Sequence, residues 1–267
     1  MSAQLLKGKH TVVFGAGGSI GTAVAREMAT AGAEVFLAGR TKGKVDELAA
    51  SITAAGSRAH GAVVDALNDE HVNGYMERVA SEAGSIEAVF NAVGPKAADY
   101  GNGKHAVDLP IDEFMVPATT VLKSQFITAR VAARHMIKRR SGVIIFLTGS
   151  PARGHVEGAS AIGAAFGAIE TLMENMAVEL GPAGVRVVCL RTTANVDSSS
   201  IQDTISAIAS RMNVTKDEMI ARMASLNFLK VPATVQDTAN AAVLLASDLG
   251  RMMTGTVVNC TAGAAAD

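Results

Sequence analysis

Residues 11–21, TVVFGAGGSIG, constrain the fold of this chain more than any other stretch. Val12, Val13 and Phe14 are apolar without polar alternation, as in a strand buried on both faces of a parallel sheet. Gly15, Gly17, Gly18 and Gly21 follow at once, interleaved with Ser19 and Ile20, and residues 20–31 carry apolar side chains at helical spacing. A turn that passes from a buried strand straight into a helix needs residues without a Cβ. Its bare N–H groups then lie at a helix N-terminus, where a phosphate binds. Gly21 lets the helix sit close on the strand. An ordinary strand-to-helix connection is the alternative, and the rest of the chain bears on the choice.

Apolar runs at 34–38, 62–65, 86–93, 143–147, 185–190 and 256–260 predict six more strands. Helical patterns separate them at 44–55, 69–83, 117–140, 159–180 and 236–247, with a helical insertion over 195–230. Strands alternating with helices predict an α/β architecture, a Rossmann-type doubly wound sheet of seven parallel strands. The 267 residues, 49% of them hydrophobic, suffice for that as one domain spanning the chain. Ligands in such sheets bind beyond the carboxyl ends of the strands, near the point where strand order reverses. The pieces expected there are residues 15–21, 39–41, 65, 91–94, 148–150 and 191–196.

The net charge of −1 gives no support for nucleic-acid or anionic-membrane partners. No apolar run approaches the ~20 residues of a membrane span, and residues 1–9 lack the apolar region of a signal peptide. A soluble, cytoplasmic protein acting on a small molecule is expected. Cys189 and Cys260, the only cysteines, lie in apolar runs and read as buried free thiols. The histidines show no metal-ligand spacing, so no metal is expected.

The end of the second strand selects between cofactors. In a dinucleotide fold an acidic residue there holds a free ribose 2′-hydroxyl, and a cation accommodates a 2′-phosphate. Here the position holds Arg40, followed by Thr41, Lys42 and Lys44, with no carboxylate before Asp46. That favours NADP(H) over NAD(H), the alternative being a solvated basic loop.

With these pieces in order, the sequence resembles the short-chain dehydrogenase/reductase family over essentially its whole length. The turn at 15–21 is similar to the family's TGxxxGxG, with Phe14 for Thr and Ser19 for the middle Gly. Asp65 matches the acidic residue that touches adenine. Phe90, Asn91, Ala92 and Val93 resemble its NNAG. The segments 126–136, 177–180 (AVEL), 244–248 (LLASD) and 254–259 (TGTVVN) are also close to family patterns. The resemblance implies a nicotinamide dinucleotide and a homodimer or homotetramer. Apolar character on more than one face of 117–140 and 159–180 suits such an assembly.

The resemblance also implies a catalytic Tyr with a Lys one helical turn later, a Ser upstream and an Asn on the preceding helix. Alignment on AVEL puts those positions at Ile162, Phe166, Gly149 (with Ser150 adjacent) and about Val121. Between residues 160 and 180 there is no Tyr, Lys, His or Arg, and the only tyrosines are Tyr75 and Tyr100. The proton-transfer pair is absent at this register. Ser150, placed to hydrogen-bond a substrate oxygen or else a plain turn residue before Pro151, is the leading catalytic candidate. Thr148, Arg153 and His155 are further candidates, Lys123 reads as a surface residue, and Tyr100 as a loop tip or lid aromatic. Three readings stay open: an altered reductase of a small or medium apolar carbonyl or enone, a catalytically silent cofactor-binding protein, and a recruited non-redox enzyme of lyase type. Residues 195–230 would be the substrate lid by analogy.

Overall fold

Seven apolar runs line up as seven parallel strands in the computed structural model, which describes residues 4–154 and 156–266, without the side chains of residues 207 and 211. The strands are β1 (His10–Phe14), β2 (Glu34–Gly39), β3 (Arg58–Val63), β4 (Ala88–Asn91), β5 (Gly142–Gly149), β6 (Val185–Thr192) and β7 (Thr256–Cys260). The order across the sheet is β3-β2-β1-β4-β5-β6-β7, so the winding reverses between β1 and β4. That crevice is where open α/β sheets place their ligands.

The helices are α1 (Ser19–Thr30), α2 (Lys42–Ala54), α3 (Asp69–Ala83), α4 (Ile111–Pro117), α5 (Lys123–Arg139), α6 (Ser160–Leu180), α7 (Ser199–Met212), α8 (Lys216–Leu226) and α9 (Val235–Ala246). Strand side chains alternate between two cores. Val12, Phe14, Val187 and Cys189 join Met76 of α3, Val131 of α5 and Ile169 of α6 on one face. Val13, Val35, Val188 and Leu190 join Val24 of α1, Leu48 of α2 and Ala242 of α9 on the other. Two-sided burial explains the near-continuous apolar runs of the central strands, while edge strand β3, with exposed Arg58, His60 and Val63, has none.

Two expectations need correction. The third strand was expected over 62–65 but is Arg58–Val63, pairing Glu34↔Arg58 through Gly39↔Val63. An edge strand needs no apolar run, so its sequence RAHGAV gave no signal. The long helix expected over 117–140 begins earlier, at Ile111, and passes through a π-helical turn, Ala118–Leu122, before α5. Pro117 lacks the N–H that would continue the α-helical ladder, which accounts for the break there. The remaining elements lie within a few residues of expectation, the 195–230 segment as α7 and α8.

Candidate functional site

The glycine turn is built for close approach. Gly15 has φ +72°, and a Cβ on it would stand 2.7 Å from the carbonyl carbon of Ala92 and 2.8 Å from Val93 N. A Cβ on Gly21 would overlap the Gly15 carbonyl oxygen. Any larger residue at either place would push the end of β4 or the first turn of α1 away. The turn is pinned by Ala16 N donating to Ala38 O (3.1 Å) and by Ala92 N donating to Phe14 O (2.9 Å). Ser19 and Ile20 open α1, and Gly18 at its N-cap makes no side-chain hydrogen bond, so the first N–H groups of the helix are left for a ligand. Ser19 Oγ accepts a bond from Ser199 N (3.1 Å), bringing the start of α7 against the turn.

Gly17 meets the end of β2, where a Cβ on Gly39 would stand 3.8 Å from its backbone N, and Arg40 and Thr41 follow Gly39 in the chain. Arg40 and Thr41 are exposed, and among the described residues Arg40 has no ion pair, whereas Lys42 is bonded to Asp46. α2 starts there with no acidic residue in its first turn and no side-chain cap. Cations at the positive end of a helix dipole do not stabilise the helix. Asp65 follows β3, half-buried, and its Oδ1 accepts from Leu67 N (3.0 Å). Asn91 closes β4 from inside: its Oδ1 accepts from Val93 N (2.8 Å), and its Nδ2 donates to Thr128 Oγ1 on α5 (3.0 Å). This bond sets the backbone of Ala92 and Val93 against Gly15.

At the end of β5 the expected residues separate. Ser150 begins a 3-10 turn (Ser150–Ala152), is buried, and its hydroxyl stands 3.2 Å from Thr193 Oγ1 at the end of β6. Ile162 is buried on the first turn of α6. Phe166, one turn later, lies over Gly149, where a Cβ would be 2.9 Å from its Cε2. Val121 is buried in the π-helical turn, and Lys123 is exposed on α5, as expected of a surface lysine. Tyr100 lies in a half-buried 3-10 turn (Ala97–Tyr100), and burial holds its phenol above the ordinary value. His155 lies outside the described residues.

One turn beyond Phe166 on α6 begins a buried ion pair that no motif announces. Glu170 of α6 and Arg191 of β6 are 2 % and 1 % exposed and form a two-pronged ion pair: Nε donates to Oε1 at 2.8 Å and Nη2 to Oε2 at 2.9 Å. Thr148 Oγ1 also donates to Oε1 (3.1 Å), and Arg153 Nε stands 3.5 Å from Oε2. Cys189 Sγ is 3.2 Å from Thr148 Oγ1, and burial pushes its thiol up to about 12. The available signal was parity. Arg191 shares a strand face with Val187 and Cys189, which pack on α6, so a cation there needs a carboxylate partner on that helix. Among the described residues no group of His, Cys, Asp and Glu could hold a metal ion, and no helix is long and apolar enough to cross a membrane.

Comparison with known proteins agrees with this geometry. The family described as Enoyl-(Acyl carrier protein) reductase matches residues 15–265. The 7alpha-hydroxysteroid dehydrogenase of Escherichia coli is 23% identical over 258 residues, covering 97% of this chain and 94% of that protein. An uncharacterized oxidoreductase of Mycobacterium tuberculosis is 28% identical over 258 residues, covering 97% of this chain and 92% of that one. Among solved structures, sorbitol-6-phosphate 2-dehydrogenase from Erwinia amylovora superposes with a TM-score of 0.88 at 23% identity, over 96% of this chain and 100% of that one. The 7 alpha-hydroxysteroid dehydrogenase complexed with NADH superposes at 0.84, with 23% identity, over 96% and 94% of the two chains. With a parallel sheet in this order, a glycine turn closed on β4 and a family match over nearly its full length, the chain belongs to the short-chain dehydrogenase/reductase family of oxidoreductases.

Proposed function

We propose that this chain is an NADP(H)-dependent oxidoreductase with altered catalytic residues, acting in the cytoplasm on a small or medium apolar carbonyl or enone. The observation that carries the reading is the corner at the end of β2: Arg40 is exposed and has no ion pair among the described residues, it follows a Gly39 that packs near Gly17, and no carboxylate comes before Asp46. The turn fits a dinucleotide because Gly15 and Gly21 let it close against β4 and on itself, with the start of α1 left without a side-chain cap for a pyrophosphate. Gly15, Gly17, Gly18, Ser19, Ile20 and Gly21 would hold the pyrophosphate side, Arg40 and Thr41 the ribose phosphate, Asp65 the adenine edge, and Asn91, Ala92 and Val93 the wall beyond β4. When bound, the nicotinamide supplies or accepts the hydride.

The chain's own part is positioning. Ser150 and Thr193 present a pair of hydroxyls at the ends of β5 and β6, and Ser150 would hydrogen-bond the substrate oxygen. Ile162 and Phe166, which we align with the family's Tyr and Lys, offer an apolar wall and no proton. Residues 195–230, through α7 and α8, would be the lid. The groove of about 500 Å³ between the outer faces of α5 and α6, lined by Leu122, Phe126, Ala168 and Leu172, suits a homodimer or homotetramer interface.

A second reading, a catalytically silent NADP(H)-binding protein, draws on one observation: the Phe166 ring packs over Gly149 where the family's Lys and Ser positions fall. One experiment separates the two. NADPH and NADH are titrated by fluorescence, and loss of reduced-nicotinamide absorbance is then followed against a panel of carbonyls and enones. Preferential NADPH binding with turnover supports the reductase, and binding without turnover on the whole panel supports the silent protein. No NADPH binding at millimolar concentration defeats both. Arg40→Ala is expected to weaken NADPH by about tenfold or more and to leave NADH unchanged.

A further inference from the structure

We propose that Lys44, whose stem lies against Gly17, is a second anchor for the cofactor's 2′-phosphate beside Arg40. This rests on the NADP(H) reading and adds a specificity-determining residue to it. The first turn of α2 packs down on two glycines. A Cβ on Gly39 would stand 2.9 Å from Val45 Cγ1, and a Cβ on Gly17 would stand 3.2 Å from Lys44 Cβ and 3.4 Å from Lys44 Cδ. The same Gly39 position is 3.8 Å from Gly17 N, so the two glycines share one corner with Arg40. The Lys44 stem therefore lies along the glycine turn itself, and its ammonium, two bonds beyond Cδ, is within reach of a phosphate bound at that corner.

The neighbouring cations divide by their partners. Lys42, two residues earlier, is taken by Asp46 on the outer side of the same helix. Among the described residues Lys44 and Arg40 have no ion pair. Two cations left uncompensated, at the start of a helix with no acidic residue in its first turn, make a corner that favours a doubly charged anion. The pyrophosphate side of the turn is elsewhere, at Ser19–Gly21 where α1 begins. A cation over Gly17 thus reads the group that distinguishes NADPH from NADH, rather than the phosphates the two share. The glycine at 17 serves both purposes, since a side chain there would displace the Lys44 stem as well as the ribose.

The test uses Lys44→Met, which keeps the stem over Gly17 and removes the charge, and Lys44→Arg, which restores it. NADPH and NADH are titrated by fluorescence and 2′,5′-ADP by calorimetry, with unfolding curves confirming that the exposed substitution leaves the fold intact. The expected result is NADPH and 2′,5′-ADP weakened about tenfold in Lys44→Met, NADH unchanged within about twofold, and recovery in Lys44→Arg. Equal weakening of NADPH and NADH would place the ammonium on the shared phosphates and overturn the proposal. Unchanged NADPH binding in Lys44→Met, with Arg40→Ala still impaired, overturns it while leaving the cofactor reading intact. A wild-type chain that binds the two nucleotides equally well removes the cofactor reading and the proposal together.

Discussion

Replacing Glu170 by Ala strips the counter-charge from a guanidinium that is 1 % exposed. The native carboxylate takes two bonds from Arg191, at 2.8 and 2.9 Å, and one from Thr148 at 3.1 Å. Removing one member of a buried ion pair costs about 3–5 kcal/mol, because the remaining charge has lost its solvation and its counter-ion. In a chain of this size each kcal/mol moves Tm by about 2–4 °C, so Glu170→Ala should lower Tm by roughly 6–20 °C. Arg191→Met should cost about as much, leaving the carboxylate with Thr148 and the half-solvated Arg153. Arg153→Ala should cost under about 1 kcal/mol, since that side chain is 60% exposed and its contact is longer. The double change Glu170→Leu with Arg191→Met removes both charges and should recover most of the loss, as buried pairs replaced by apolar residues commonly do. Thermal and urea unfolding of these variants at one protein concentration measures all of this. A loss below about 1 kcal/mol in Glu170→Ala, or a double variant no better than the singles, refutes the reasoning.

Gly21→Ala should destabilise the chain and abolish detectable NADPH binding, because the new methyl overlaps the Gly15 carbonyl oxygen; unfolding curves and fluorescence titration check it. Gly149→Ser should cost about 1–3 kcal/mol by crowding Phe166, and Phe166→Lys, with its flexible stem, should relieve that cost, a coupling that additive single effects would disprove. Cys189 should resist alkylation in the folded protein. Burial raises its thiol to about 12, so at pH 8 only about one in 10⁴ is thiolate. Half-buried Cys260, also raised by burial, should be slowed but accessible. Intact-mass measurement after a thiol reagent should show one adduct folded and two in urea.

The sheet was legible because burial on both faces writes itself into the sequence as continuous apolar runs. Val12–Phe14 and residues 185–190 could be read without any partner in view. Edge strand β3 lacked that pressure and was placed about three residues late. The helix before α5 was missed because Ile111–Pro117 is short, exposed on much of its surface and ended by a proline, all of which read as loop. The glycine turn was legible since a missing Cβ is a property of single residues. The Glu170–Arg191 pair was not, since it is a relation between elements 21 residues apart whose meaning depends on which strand face meets which helix. Nor was the Lys44 stem over Gly17, which requires knowing that α2 tilts its first turn onto the glycines.

The same geometry restricts where a proton could come from. Glu170 is the ionisable side chain on α6 nearest in sequence to Ile162 and Phe166, but its oxygens are already taken up by Arg191, Thr148 and Arg153. Tyr75 is buried against Phe14, and burial raises its phenol far above neutrality; Tyr100 is raised for the same reason. What remains at the strand ends is the Ser150–Thr193 hydroxyl pair, neither member of which titrates between pH 6 and 9. Among the catalytic candidates only His155 has an ordinary pKa in that window. Losing a general acid costs about 10²–10⁴ in rate, so turnover on a productive carbonyl should be slow. In His155→Gln, kcat/KM should also be flat with pH from 6 to 9, where a Tyr–Lys pair would impose a step. A titration in that range surviving in His155→Gln would mean that a described residue supplies the proton after all, and that the hydroxyl pair is not the working end of the site.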